Sequence, residues 1–190
     1  MSFTEATNLC LDLKLDLGSH VIMLCNDRVE MLEVLTEYFK EGVKNNDLNI
    51  LITTDDKMAD QIKNEVGDND FNKKLLTMNY RFFYFVDELF NAEQVYIQID
   101  HLLEQNSQRT LRVAGDTSWI DADKFKDLHE YESGLNKRYN KTNILLLCIY
   151  NSSVLNIEQI IKLIQAHNII LFKESGEWKL SKTVVRTIVE

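Results

Sequence analysis

Short apolar runs alternate along this chain with longer stretches in which apolar positions recur at helical spacing. Residues 21–25 (VIMLC), 48–53 (LNILIT), 81–86 (RFFYFV), 111–114 (LRVA), 143–150 (NILLLCIY) and 169–172 (IILF) read as strands. They are apolar on both faces rather than alternating, which is the pattern of parallel strands covered on both sides. Between them, Met31, Leu32, Leu35, Tyr38, Phe39 and Val43 define an amphipathic helix over about residues 28–44. Met58, Ile62 and Val66 mark a second helix, with Thr54 or Asp55 as its cap and Gly67 as its stop. Val95, Ile99, Leu102 and Leu103 mark a third, opened by Asn91 and Gln94 at capping-box spacing. Phe125, Leu128, Glu132, Leu135 and Tyr139 form the stripe of a fourth, capped by Asp121. Glu132 is the polar member of that stripe, so the pattern turns a carboxylate inward. Ile157, Ile160, Ile161 and Ile164 form a fifth, opened by Asn156 and Gln159.

This alternation predicts an α/β fold of three layers, with a mostly parallel central sheet and helices on both faces. The whole chain, 1–190, reads as one domain with its core at 19–173. Residues 1–18 are an N-terminal extension: Leu9, Leu11, Leu13, Leu15 and Leu17 fit a strand, while Leu9, Leu13 and Leu17 also fit a helix. Residues 68–74 read as a polar surface loop. Residues 174–190 carry Gly176 between two strand-like runs and read as a C-terminal hairpin.

Composition narrows the function. With 45% hydrophobic and 27% charged residues the chain can bury a core without staples. A net charge of −9 argues against a nucleic-acid surface or an anionic membrane as partner. Cys10, Cys25 and Cys148 are odd in number and widely spaced, with no CxxC, which suits a reduced, cytoplasmic setting. Asp12, Lys14 and Asp16 interrupt the first apolar stretch, so it does not read as a secretory signal. Proline is absent, so no linker stands out.

The chemistry-bearing residues converge on strand ends. In α/β sheets ligands collect outside the carboxyl edge of the strands. Cys25, Asn26 and Asp27 follow the first strand, Thr53 ends the second, and Tyr150 ends the longest. Gly115, Asp116, Thr117, Ser118 and Trp119 follow the run that contains Arg112. A phosphate-cradling loop needs glycines and a lysine. The turn after residues 21–25 has neither, and Asp27 and Glu30 already occupy the positive end of the helix. His20, His101, His129 and His167 fit no nucleophile motif, and His20 and His167 precede strands, away from the carboxyl edge. No metal ligand set, catalytic residue or cofactor is expected.

The blocks now in view resemble the MEDS family, the methanogen/methylotroph sensory domain named for the repressor of dichloromethane dehalogenase. His20-Val21-Ile22 opens the similar region. Phe39-x-x-Gly42 with Ile50-Leu51-Ile52-Thr53 looks like the next block. Arg112-Val113 with Gly115-Asp116-Thr117-Ser118-Trp119 is similar to the family's Arg-Val-x-Gly-Glu-Met-Ser/Thr-Trp. Tyr131-Glu132 with Leu135-Asn136, Cys148-Ile149-Tyr150 and His167-Asn168 complete it. Asp116, Ile149 and Asn168 depart from the family's usual glutamate, glutamine and proline.

The resemblance implies a RecA/KaiC-like fold without the ATPase loop, and a non-enzymatic sensory role toward small organic compounds. It also implies signalling through a partner such as a kinase or transcription regulator, since the chain carries no output motif of its own. The expected ligand site comprises Asp116, Trp119, Tyr150, Cys25, Asn26, Asp27, Arg112 and Glu132. A protein-interaction module without any ligand, built on the same fold, is the alternative. A homodimer is compatible with both.

Overall fold

The computed structural model describes residues 6–10, 13–66, 75–117 and 125–183. The chain opens with an antiparallel hairpin of β1 (Ala6–Cys10) and β2 (Leu13–Asp16). The strand reading of the N-terminal extension is therefore the one realised. Leu9 and Leu15 seal that hairpin onto the core.

Behind it lies a seven-stranded sheet. Its parallel members are β3 (Ser19–Cys25), β4 (Leu48–Thr53), β5 (Leu75–Asn79), β8 (Leu111–Asp116), β9 (Ile144–Asn151) and β10 (Ile169–Glu174). The edge strand β11 (Glu177–Lys182) runs antiparallel to β10. The order is β11-β10-β3-β9-β8-β4-β5. Side chains of β9 alternate between two cores. Leu145, Leu147 and Ile149 pack with α1 (Arg28–Lys44) and α2 (Asp56–Val66). Ile144, Leu146, Cys148 and Tyr150 pack on the opposite face. That face is covered by α3 (Tyr80–Tyr84), α4 (Ala92–Gln105), α5 (Phe125–Tyr139) and α6 (Ile157–Ala166). Such double burial explains why the strands read as continuous apolar runs.

The helix starts follow local chemistry. Asp55 Oδ1 accepts from the Met58 amide at 2.9 Å, and Asn91 Oδ1 from the Gln94 amide at 2.9 Å. Asn156 and Gln159 form a complete capping box. The cap expected at Asp121 and the loop expected at 68–74 lie outside the described residues, as does Gly67.

One expectation is corrected. The aromatic run 81–86 is not the third strand of the sheet. That strand is β5, whose Leu75 is buried while Leu76 is half exposed. As an edge strand it needs little apolar sequence. Asn79 then accepts from the Arg81 amide at 3.0 Å and turns the chain into α3. Helical rotation there buries Phe83 and Tyr84 and leaves Phe82 outside. Residues 85–90 fold back as a small hairpin of β6 (Phe85–Val86) and β7 (Leu89–Phe90). The C-terminal hairpin forms around Ser175 and Gly176, and β10 supplies its first arm. Residues 184–190 lie outside the described residues.

The connections fix where a crevice can form. From β4 the chain runs outward to β5, whereas from β8 it runs the opposite way to β9. The strands part direction between β4 and β8, which makes their carboxyl ends a topological switch point.

Candidate functional site

Thr53 ends β4 and Asp116 ends β8, so both stand at that switch point. Thr53 Oγ1 donates to Asp116 Oδ2 at 3.1 Å and accepts from the Asp55 amide at 3.0 Å. Both side chains are buried. A carboxylate drawn out of water needs such partners, because burying it bare is costly.

The end of β3 borders the same edge. Cys25 is fully buried, its thiol 3.5 Å from the Tyr150 carbonyl. Burial, joined by the charges of Glu30, Asp116 and Asp27, pushes that thiol up to about 11. Asn26 and Asp27 are exposed. Asp27 Oδ1 accepts from the Glu30 amide at 2.9 Å, and Glu30 Oε2 accepts from the Asn26 amide at 2.8 Å. The first turn of α1 is thus closed by its own acids. Arg28 reaches across to Asp55 at 3.1 Å, joining the turns after β3 and β4. Along the same edge a groove of about 370 Å³ opens between the N-terminal turns of α5 and α6. Phe125, His129, Asn156 and Lys162 are among its walls.

The other expected residues are dispersed. Trp119 lies outside the described residues. Arg112 lies deep under α1, where its Nε meets Asp47 Oδ2 at 2.8 Å. Tyr150, although next to the end of β9, turns to the opposite face of the sheet. Its Oη donates to Glu132 Oε1 at 2.5 Å. The seven described residues among the eight expected at one site therefore divide into an edge group, a buried arginine and a Tyr150–Glu132 pair.

That pair opens onto a second, wholly buried polar centre. Glu132 projects inward from α5, as its place on the apolar stripe implied, and is 1% exposed. His20 Nε2 stands 2.9 Å from Glu132 Oε2 and 3.3 Å from Cys148 Sγ. His167 Nε2 stands 3.4 Å from the same carboxylate oxygen. The two imidazole rings lie 3.9 Å apart, centre to centre. Burial depresses both histidines to about 3; the charge of His20 adds to this at His167. Burial likewise raises Glu132, against the opposing pull of His167 and Tyr150, and raises Cys148 strongly. The centre is neutral imidazole beside groups that resist ionising alone. The sequence sets the histidines apart from the expected site because both precede strands, away from the carboxyl edge. The inward Glu132 is one signal pointing toward them, and the family-like blocks containing His20, Glu132, Cys148 and His167 are another.

Residues 19–168 match the model of a protein family described as MEDS, the methanogen/methylotroph, DcmR sensory domain. No curated protein matches the chain.

Proposed function

Because the chain belongs to the MEDS family of sensory domains, we propose that it is a non-catalytic sensor that binds a small organic molecule at the carboxyl edge of its sheet. The observation that carries this reading is the Thr53–Asp116 pair, a hydroxyl and a carboxylate held together at the switch point between β4 and β8. A ligand group able to donate to Asp116 would compete with Thr53, and the adjoining turns of β3 and α2 would respond. Those turns are joined by Arg28 and Asp55, so a shift at the edge has a route to the outer surface. The signal would pass to a partner protein.

A thermal-shift screen of small organic compounds tests this. Binding to the native state alone stabilises it by about 2.7 kcal/mol at a hundredfold excess over Kd. Compounds that stabilise the wild type are expected to lose most of that effect in Asp116→Asn. Equal affinity for both proteins would move the site away from this edge. A second reading, an interaction module without ligand, is favoured by Phe82 and Leu89, which are 83% and 73% exposed near the β6–β7 hairpin. A screen without a single stabilising compound would support it.

A further inference from the structure

We propose that His20, Glu132, Cys148 and His167 together bind one zinc-class divalent ion in a closed, four-coordinate site. This goes beyond the edge site and does not depend on it. One ligand atom from each residue can be chosen so that all four lie within 4.8 Å of one another. They come from β3, α5, β9 and the junction of α6 with β10.

Three of the six ligand-to-ligand spacings are close to those of a tetrahedron. Zinc lies about 2.0–2.1 Å from imidazole nitrogen, about 2.0–2.2 Å from carboxylate oxygen and about 2.3 Å from thiolate. Tetrahedral geometry then sets ligand-to-ligand distances of about 3.3–3.8 Å. The separations here are 3.3 Å for His20 Nε2 to Cys148 Sγ and 3.4 Å for His167 Nε2 to Glu132 Oε2. Cys148 Sγ to Glu132 Oε2 is 3.5 Å, and His20 Nε2 to Glu132 Oε2, at 2.9 Å, is the short edge. Small side-chain adjustments would open that edge around an ion.

The ligand atoms are also aimed. His167 Nδ1 lies 2.7 Å from the Leu163 carbonyl, which can only accept, so Nδ1 carries the proton. The lone pair of His167 Nε2 therefore faces the cluster, and this buried atom has no hydrogen-bond partner among the described residues. Tyr150 Oη holds Glu132 Oε1 and leaves Oε2 turned inward. Metal-binding imidazoles and carboxylates are oriented by outer partners of this kind.

Charge and ligand type agree. A glutamate and a thiolate contribute two negative charges, and the imidazoles bind as neutral ligands. A divalent ion makes the sum zero in a site fully removed from water. On binding, whatever protons the thiol and carboxyl hold are released. Thiolate with imidazole suits zinc far better than magnesium or calcium, which take oxygen. With four protein ligands no coordination position stays open, so the role is structural. The ion would tie α5 and the start of β10 to the centre of the sheet.

The test uses the full chain, assayed for zinc as purified, then unfolded with chelator and refolded with Co²⁺. One zinc per chain, or one Co²⁺ per refolded chain, is expected. The cobalt protein should show tetrahedral visible bands and a thiolate-to-cobalt charge-transfer band. Cys148→Ser should lose the charge-transfer band. Tyr150→Phe keeps all four ligands and should weaken Co²⁺ binding by about 10–100-fold. His167→Gln should weaken it further. Should the ligand variants fail to fold, the wild-type stoichiometry and spectrum decide alone. A chain that is folded by circular dichroism yet holds neither zinc nor cobalt would overturn the proposal. So would bound cobalt lacking the thiolate band. The first result would leave the cluster a metal-free hydrogen-bond network, and the second would show that Cys148 is no ligand of the bound ion.

Discussion

The guanidinium of Arg112 meets the carboxylate of Asp47 at 2.8 Å with both side chains almost entirely out of water. Arg112 Nη1 also donates to the carbonyls of Leu9 and Tyr38, at 2.9 and 3.2 Å, and its charge lies 4.7 Å from the Tyr38 ring centre. One side chain thereby ties the N-terminal hairpin, α1 and the turn before β4 together. The close fit excludes even a methyl group at Gly42, whose Cβ would stand 1.9 Å from Asn49 Oδ1 and 2.8 Å from Arg112 Cδ. Removing one partner strands the other charge. Arg112→Met should therefore cost about 3–5 kcal/mol in urea unfolding. Adding Asp47→Asn should recover part of the loss, because no charge is then buried alone. A loss below about 1 kcal/mol would contradict the structural role assigned to this pair.

Acid should destabilise the metal-free protein through the buried histidines. His20 and His167 have folded-state pKa values of about 3, chiefly because burial disfavours the charged ring, against an ordinary 6.5. Below 6.5 the unfolded chain takes up protons that the folded chain refuses. Stability then falls as pH falls, by up to about 1.4 kcal/mol per pH unit for each histidine. Glu132 acts oppositely. Its raised pKa lets the folded state keep a proton that the unfolded chain loses above 4.5. Within this centre two histidines outweigh one carboxyl, so the urea midpoint should drop between about pH 6 and about pH 4.5, with buried Asp47, also raised, offsetting part of the fall. A flat or rising midpoint would show that the rings are charged in the folded state.

ATP with magnesium should not bind appreciably. The amide of Glu30 in the first turn of α1 is taken by Asp27, and that of Asn26 before it by Glu30. No glycine loop or lysine stands there to replace them. Calorimetry with ATP–Mg²⁺ should show no saturable heat at micromolar protein. Tight binding that disappears on changing Asp27 or Arg28 would be decisive against this.

The C-terminal hairpin should behave as part of the core. Trp178 is 9% exposed and packs with the α1-side core. Lys173 lies 5.2 Å from its ring centre and pairs with Glu33 of α1 at 2.9 Å. Trp178→Ala should cost about 3–5 kcal/mol. Native trypsin digestion should cut slowly after Lys179 and Lys182, and rapid cleavage there would place the hairpin outside the cooperative unit.

The layered α/β fold was legible in the chain because each layer leaves a local period. Buried parallel strands repeat as solid apolar runs, and α1 spans the residues its stripe marked, with Asp27 as cap. The inward turn of Glu132 was legible for the same reason, since one helix face is set by residues three and four apart. What each side chain meets across the sheet has no such period. Tyr150 and Asp116 both stand at strand ends, yet strand alternation sends Tyr150 to the α5 face, whereas Asp116 pairs with Thr53. β5 escaped notice because an edge strand needs little apolar sequence, and the aromatic run beyond it helps fill the α4 side as a helix. The grouping of His20, Glu132, Cys148 and His167 belongs to the tertiary structure alone. Parallel pairing brings Cys148 beside Ile22 of β3, and the crossover through α6 returns His167 next to His20. Residues 147 positions apart become neighbours through strand order, which no short-range pattern in a chain records.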